Sequence, residues 1–588
     1  MRKIKLENSA PFIDRSFQLV GPYNKREVIE VDIILRSKDP VGLEEKSDNL
    51  QYTDKHMSSD EITAQFGPSA KDIKKIKLIA GFFKLKWWFY RDMDIDKSNW
   101  CVTLKGKIKI FNRLFGIQID SYKHPVYPNR QFRAFTEDIS IPKKLEGIVI
   151  SVLGLDNLPI IQTPCKKNLV LSPEDVVDAD SKPVFKPNEL AEKYYSFPKD
   201  VHGKGQSIAI VICSKSGAGY KLEELEHYFK EVIGLPTVPN IEAVNVGIEE
   251  NSPGKLFEDF EVYNDIEILG SIAYEADIFV YFTNNKFSGL EAALCEITSR
   301  EENPHSIISI SYAINECKWS PQQIIGLRQQ FRKAALMGIT VCVSSGDDGT
   351  LDGVTSPSSF KHVLACGGTM FTFNGDEPGI ENIASETVWN EKIKLPEKFC
   401  EESGCESYKT DGDDCPDRKL LGGHHLASCG GESKRVSRPK YQQWIKPQPF
   451  DDPCNVTWKC DRWRKVPDVA GHSGLKAGYK LYLHGGLHAG GGTSAAAPLY
   501  AALFALINEA LEKAGKQGAG FITRLLYNME DDWKKKVFND ITTGNNDLYK
   551  LGFYNAVPGW DFCTGWGSIN GQALLEYLLQ YEPEPKKS

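Results

Sequence analysis

Nothing in these 588 residues approaches 18 consecutive apolar positions, so no membrane span is predicted. No basic block stands out. The net charge is −8, with 41% hydrophobic and 26% charged residues, and a modestly acidic soluble chain of this kind argues against nucleic acid as its main partner. Met1-Arg2-Lys3-Ile4-Lys5-Leu6-Glu7-Asn8 has basic residues but no apolar stretch behind them, so no signal peptide is visible. No internal repeat is evident.

Cysteine is not scarce. Of fourteen, Cys400, Cys405, Cys415, Cys429, Cys454 and Cys460 crowd into one polar stretch. Clustering in a loop-rich region predicts disulfides and an oxidising compartment, and Asn455-Val456-Thr457 is a glycosylation sequon. These features and the invisible signal peptide point in opposite directions.

Residues 1 to 154 read as a separate α+β unit. Ser69 to Ala80 has a helical period, and Val102 to Ile110 alternates as a strand, with Val102, Leu104, Ile108 and Ile110 as its apolar members. From about 155 to 187 prolines, lysines and aspartates lack apolar periodicity, which predicts an exposed linker. Beyond it, 188 to 581 holds short apolar runs at Ser207–Cys213, Ala276–Phe282, Ser306–Ser311 and Thr340–Val343. Helical stretches separate them, among them Glu258 to Ala273 and Pro321 to Leu336. Continuous apolar strands alternating with helices predict an α/β fold whose parallel sheet is covered on both faces.

Gly490-Gly491-Gly492-Thr493-Ser494-Ala495-Ala496-Ala497-Pro498 runs into an Ala- and Leu-rich segment apolar on every side. The glycines allow a sharp turn, and the rest predicts a buried helix with Pro498 in its first turn. Ser494 is thereby placed on a helix N-terminus, hydroxyl exposed, with free N–H groups at hand for a developing oxyanion. The plainer reading is a serine cap after a glycine loop. A nucleophilic serine needs a base. His484 and His488 lie close in sequence, but carboxylates are the better candidates. Glu261 and Asp265 stand four apart on the helix around Leu256–Glu267, share a face, and cannot both ionise easily. Asp347, in Ser344-Ser345-Gly346-Asp347-Asp348-Gly349, follows the Thr340–Val343 strand, where ligands bind in such sheets. Asp540 and Asp561 flank a polar loop and, with nearby carbonyls, suit a hard cation, although the EF-hand pattern is absent.

In order, Glu261-x-x-x-Asp265, Ser345-Gly346-Asp347, Gly492-Thr493-Ser494, Asp540-Ile541 and Gly559-Trp560-Asp561 resemble the sedolisins, serine-carboxyl peptidases with a subtilisin-like fold. Ser309-Ile310-Ser311-Tyr312, Gly367-Gly368-Thr369 and Val466-Pro467-Asp468-Val469 resemble family segments too, and residues 50 to 154 its activation domain. The resemblance implies Ser494 as nucleophile, Glu261 as general base, Asp265 orienting it, and protonated Asp347 donating to the oxyanion. It also implies one Ca2+ per chain, held by Asp540 and Asp561 with the carbonyls of Ile541, Val557 and Gly559. An acid pH optimum follows, because a carboxylic acid near its reference pKa of about 4 is mostly ionised at neutral pH. The expectation is a proenzyme acting on proteins or peptides, inhibited by its own prodomain and cleaved between about 155 and 190. Its place would be outside the cell or in an acidic lysosome-like compartment. Residues 396 to 429 form a Cys-rich insertion outside the family pattern. The rival readings are a non-catalytic calcium-binding interaction protein on the same fold and a neutral-pH enzyme using histidine.

Overall fold

The computed structural model describes residues 2–13, 17–88, 100–124, 127–158, 182–214, 217–247, 249–393, 424–445, 462–548 and 553–582. The N-terminal part builds a core on a four-stranded antiparallel sheet of β1 (Val28–Leu35), β2 (Lys86–Trp88), β3 (Cys101–Lys107) and β4 (Val149–Leu153), ordered β2-β3-β1-β4. Helices α1 (Pro40–Asp48), α2 (Ser59–Phe66), α3 (Ala70–Phe82) and α4 (Ile108–Phe115) accompany it. The strand expected through Ile110 stops at Lys107, so Ile108 and Ile110 are helical. Ile108, Phe111, Leu114 and Phe115 recur at the helical period and are buried, and Gly116, at φ 66°, ends the helix in the left-handed conformation.

Residues 182–185, which composition assigns to the linker, pair with the larger unit. Pro183–Phe185 pairs in parallel with the Gly478–Leu483 strand, and the Lys182 carbonyl accepts from Gly478 N–H at 2.8 Å. Its main sheet contains β5 (Ser207–Ser214), β6 (Asn240–Asn245), β7 (Asp277–Asn284), β8 (Ile307–Ile310), β9 (Thr340–Ser344), β10 (Leu364–Phe373) and β11 (Ile383–Val388). The spatial order is β6-β7-β5-β8-β9-β10-β11, parallel except for β11, with β12 (Val469–His472) also paired to β10. Helices α5 (Leu256–Ile272), α6 (Phe287–Ile297), α7 (Pro321–Leu336) and α8 (Thr493–Lys513) contribute to the same unit. Among the described residues, α8 alone is long and apolar enough to cross a membrane, and the core encloses it.

The N-terminal unit docks on α7. Leu43, Leu50, Ile62, Phe66 and Trp100 close an apolar cluster with Ala335 and Leu336. Met57 N–H donates to the Leu336 carbonyl at 2.9 Å, and Gln329 Nε2 to the Leu35 carbonyl at 3.1 Å. Two sets of charges lie here with opposite pH behaviour. Burial raises the Asp32 carboxyl to about 6; it raises Glu291 of α6 to about 8, with the Asp32 charge adding to it. Burial works to raise Asp48 as well, but hydrogen bonds from His362 and Lys361 outweigh it and hold that carboxyl well below its ordinary range.

The signs follow from linkage. Asp32 and Glu291 bind protons more tightly when folded, so their contribution is full below about pH 4 and is lost as pH rises through 6 and 8. Asp48 contributes above about pH 4 and loses that contribution on further acidification. With Ser494→Ala to remove the expected nucleophile, Asp32→Asn with Glu291→Gln should flatten the fall in Tm from about pH 5 to 8, whereas Asp48→Asn should lower Tm throughout that range. Parallel Tm curves for the double variant and its parent would show that the two carboxyls are not linked to folding.

Candidate active site

The site forms at the carboxyl ends of β8 and β9, where chain segments leave a parallel sheet with backbone groups free to bind a ligand. Ser494 is the second residue of α8, so its N–H has no partner within the helix. Gly492 precedes the helix at φ 76°, and a Cβ there would lie 2.9 Å from Asp347 Oδ2, so glycine is required by conformation and by space. Its N–H donates to the Ser473 carbonyl at 2.8 Å.

Pro498 is the sixth residue of α8 rather than part of its first turn, and this has a consequence. Lacking an N–H, it cannot take up the carbonyl four residues back, that of Ser494. The Ser311 hydroxyl lies 3.2 Å from this carbonyl and 2.6 Å from Asp265 Oδ1. In return the Ser494 hydroxyl donates to the Ser311 carbonyl at 3.2 Å. Ser311 follows β8 directly and joins Ser494 to the carboxylate helix.

Glu261 and Asp265 occupy one face of α5, which packs against α8. Both are buried, Asp265 at 0% exposure. Burial, reinforced by the charge of Glu261, raises Asp265 well above the usual carboxylate range, against the Ser311 hydrogen bond. A hydroxyl has one proton. When Asp265 is protonated it can donate to Ser311 Oγ, which frees the Ser311 proton for the Ser494 carbonyl.

Asp347 approaches from the other side. Its Oδ1 accepts from Thr493 N–H at 2.9 Å and the Thr493 hydroxyl at 2.7 Å, and that hydroxyl oxygen accepts from Gly346 N–H at 2.9 Å. Ala427 N–H donates to the Asp347 carbonyl and Cys429 N–H to the Gly346 carbonyl, both at 2.9 Å, so the chain returning from the Cys-rich segment braces this loop. Cys400, Cys405, Cys415, Cys454 and Cys460 lie outside the described residues, among which there is no disulfide. The nearby histidines are engaged elsewhere: His484 Nε2 lies 2.8 Å from Asp259 Oδ2, and His488 Nε2 3.2 Å from the Leu483 carbonyl.

Sequence reasoning gave no role to Ser311 or Thr493, although both sit inside the motifs it picked out. Their function depends on which polar atoms the fold leaves facing the serine, and no periodicity reports that.

Asp540 and Asp561 meet at one loop. Gly559 N–H donates to Asp540 Oδ2 at 2.8 Å, and Val557 N–H to Asp561 Oδ2 at 3.1 Å. Asp561 is fully buried, burial raises its carboxyl to about 6, and neither aspartate has a cationic partner among the described residues. Two such carboxylates beside a loop rich in carbonyls fit a hard cation. Asn539, next to Asp540, donates to buried Glu386 at 2.8 Å and ties this region to the main sheet.

A family model described as Pro-kumamolisin, activation domain, matches residues 15–158, and one described as Subtilase family matches 249–567. Kumamolisin of Bacillus sp. (strain MN-32) is 30% identical over 580 residues, covering 95% of this chain and 93% of that protein. Sedolisin of Pseudomonas sp. (strain 101) is 25% identical over 466 residues, covering 76% and 70%. The chain belongs to the sedolisin family. The solved Pseudomonas sedolisin, complexed with two molecules of pseudo-iodotyrostatin, superposes with a TM-score of 0.53 at 23% identity, over 68% of this chain and 98% of that one. This sedolisin is therefore a serine-type peptidase made as a proenzyme, its catalytic unit subtilisin-like and preceded by an activation domain.

Ser311→Ala keeps the backbone acceptor for Ser494 but removes the link to Asp265. It should lower kcat about 10- to 100-fold with a much smaller change in KM, because it disturbs orientation rather than substrate contact. Steady-state kinetics on one peptide decides this, and an unchanged kcat would remove Ser311 from the machinery.

Proposed function

We propose that this sedolisin hydrolyses peptide bonds by an acid-dependent serine-carboxyl mechanism, as an endopeptidase or a tripeptidyl-peptidase. The observation that carries the reading is the joining of Ser494 to buried, proton-binding Asp265 through Ser311, with no histidine among the described residues taking part. Ser494 Oγ attacks the substrate carbonyl carbon and passes its proton to Glu261. Asp265 orients Glu261 and shares its proton. The oxyanion is held by Ser494 N–H and by Asp347, which can donate only while protonated. Glu261 then protonates the leaving amine, the acyl group stays on Ser494, and water repeats the sequence to release the acid.

Asp540 and Asp561 would hold Ca2+ with the carbonyls of Ile541, Val557 and Gly559. When bound, the ion neutralises the two carboxylates and fixes the loop. An acid optimum suits an exported enzyme or an acidic lysosome-like compartment, and disulfides in the Cys-rich segment would suit either. The prodomain, docked on α7, acts as an intramolecular inhibitor until it is cleaved. Cleavage falls before Lys182, because from there the backbone is paired with the Leu475–Tyr479 segment and cannot enter a cleft.

Peptide hydrolysis measured from about pH 3 to 8 should be confined to the acid side and absent in Ser494→Ala, and Asp347→Ala should lower kcat about 10²- to 10³-fold. Acid treatment should yield a mature chain whose N-terminal sequence begins at or before Lys182, while Ser494→Ala stays at 65.9 kDa. Activity that peaks near neutrality, or survives Glu261→Gln, would overturn the assignment. A chelator should lower Tm by several degrees and added Ca2+ should restore it; an unchanged Tm would remove the ion from the scheme.

A further inference from the structure

The larger unit holds a cavity of about 560 Å³ that none of the steps above uses. Its apolar side comes from Met370, Phe371 and Phe373, and its charged side from Lys182, Lys392 and Lys476. The three lysines are exposed, and none forms a salt bridge among the described residues. Among the described residues the lining holds two acids, Asp376 and Glu391, against these three lysines. Glu391 is buried, and its Oε1 accepts from Trp389 Nε1 at 2.8 Å and Leu475 N–H at 2.6 Å, which leaves Asp376 as the exposed carboxylate in the lining. Burial lowers the pKa of His425 in the same lining, and the charge of Lys392 lowers it further.

Two further observations point to a ligand. His472, also in the lining, is buried, and its Nε2 lies 2.7 Å from the Ala477 carbonyl, which places the proton on that nitrogen. Its Nδ1 is then an acceptor with no partner among the described residues, which an N–H of a bound peptide backbone could satisfy and an ionised carboxylate could not. Short chain segments also tie the lining to the backbone around Ser494 and Asp347. Gly474 follows Ser473, whose carbonyl holds Gly492 N–H, and His425 is two residues before Ala427, whose N–H bonds the Asp347 carbonyl at 2.9 Å. Two residues of strand span about 7 Å, the length of about two residues of an extended peptide.

We infer that this cavity is a subsite for an acidic side chain of the peptide substrate, at one position within about three residues of the scissile bond. The inference rests on the peptidase reading of Ser494. The carboxylate of the substrate side chain sits among the three lysines, and its methylene stem lies along the aromatic side of the cavity.

The test compares kcat/KM on peptides that carry Glu or Lys at each of three positions on either side of the cleaved bond, at about pH 5, where Glu is largely ionised. At one position the wild-type enzyme should prefer Glu by about fivefold, the upper end for an exposed charge pair. Lys392→Gln with Lys476→Gln should bring that preference close to one, and Lys392→Glu with Lys476→Glu should invert it, with the other positions unmoved. The wild-type preference should also fall as NaCl is raised, a readout that needs no variant. Hydrolysis without an acidic preference, or a preference indifferent to the lysine variants and to salt, overturns the subsite and leaves the peptidase reading standing. No hydrolysis by wild type at any pH counts against the peptidase reading, and binding of the Glu and Lys peptides to Ser494→Ala, followed by anisotropy, then still decides the subsite.

Discussion

A carboxyl group enclosed by protein holds its proton more tightly, and the site is arranged around Asp265, which has that condition imposed on it. Asp265 is out of contact with solvent, with Glu261 one helical turn away. An imidazole in the same place would respond in the opposite sense, losing its charge through burial. The two kinds of base therefore suit different pH ranges before any substrate is considered. The surrounding parts accommodate this burial. Ser311 supplies a hydroxyl to Asp265, and Pro498 releases the Ser494 carbonyl to meet the same hydroxyl.

Much of this was legible in the sequence because it depends on spacing. Residues four apart on a helix share a face in any context, which put Glu261 beside Asp265. A strand that ends before Ser344-Ser345-Gly346-Asp347 delivers Asp347 to the usual edge of a parallel sheet. Other features were not legible because two local rules competed. From Val102 to Ile110 the alternation of a strand overlaps the helical period of Ile108, Phe111, Leu114 and Phe115, and burial of the second set decided the boundary. Pro183–Phe185 has a linker's composition but pairs with a strand nearly 300 residues later, a partner no local pattern can show. Ser311 and Thr493 were visible as letters in motifs, but not as hydrogen-bond donors.

The docking surface of the N-terminal unit reveals a second kind of organisation. Asp32 and Glu291 make their contribution in acid and Asp48 makes its own above it. No single titration therefore governs the interface. The apolar cluster between α1, α2 and α7 is independent of pH to first order, and the charges tune it from both ends of the scale.

α7 has a role beyond adhesion. It is the crossover between β8 and β9, the two strands whose ends carry Ser311 and Asp347, and parallel crossovers of this kind are slow to form because distant segments must meet before they are stabilised. A covalently attached unit that covers Ala335 and Leu336 offers the crossover a surface to form on. Once the connecting chain is cut and that unit departs, the same surface is available only by collision. The durability of a cleaved form would then be set by its rate of unfolding as much as by an equilibrium.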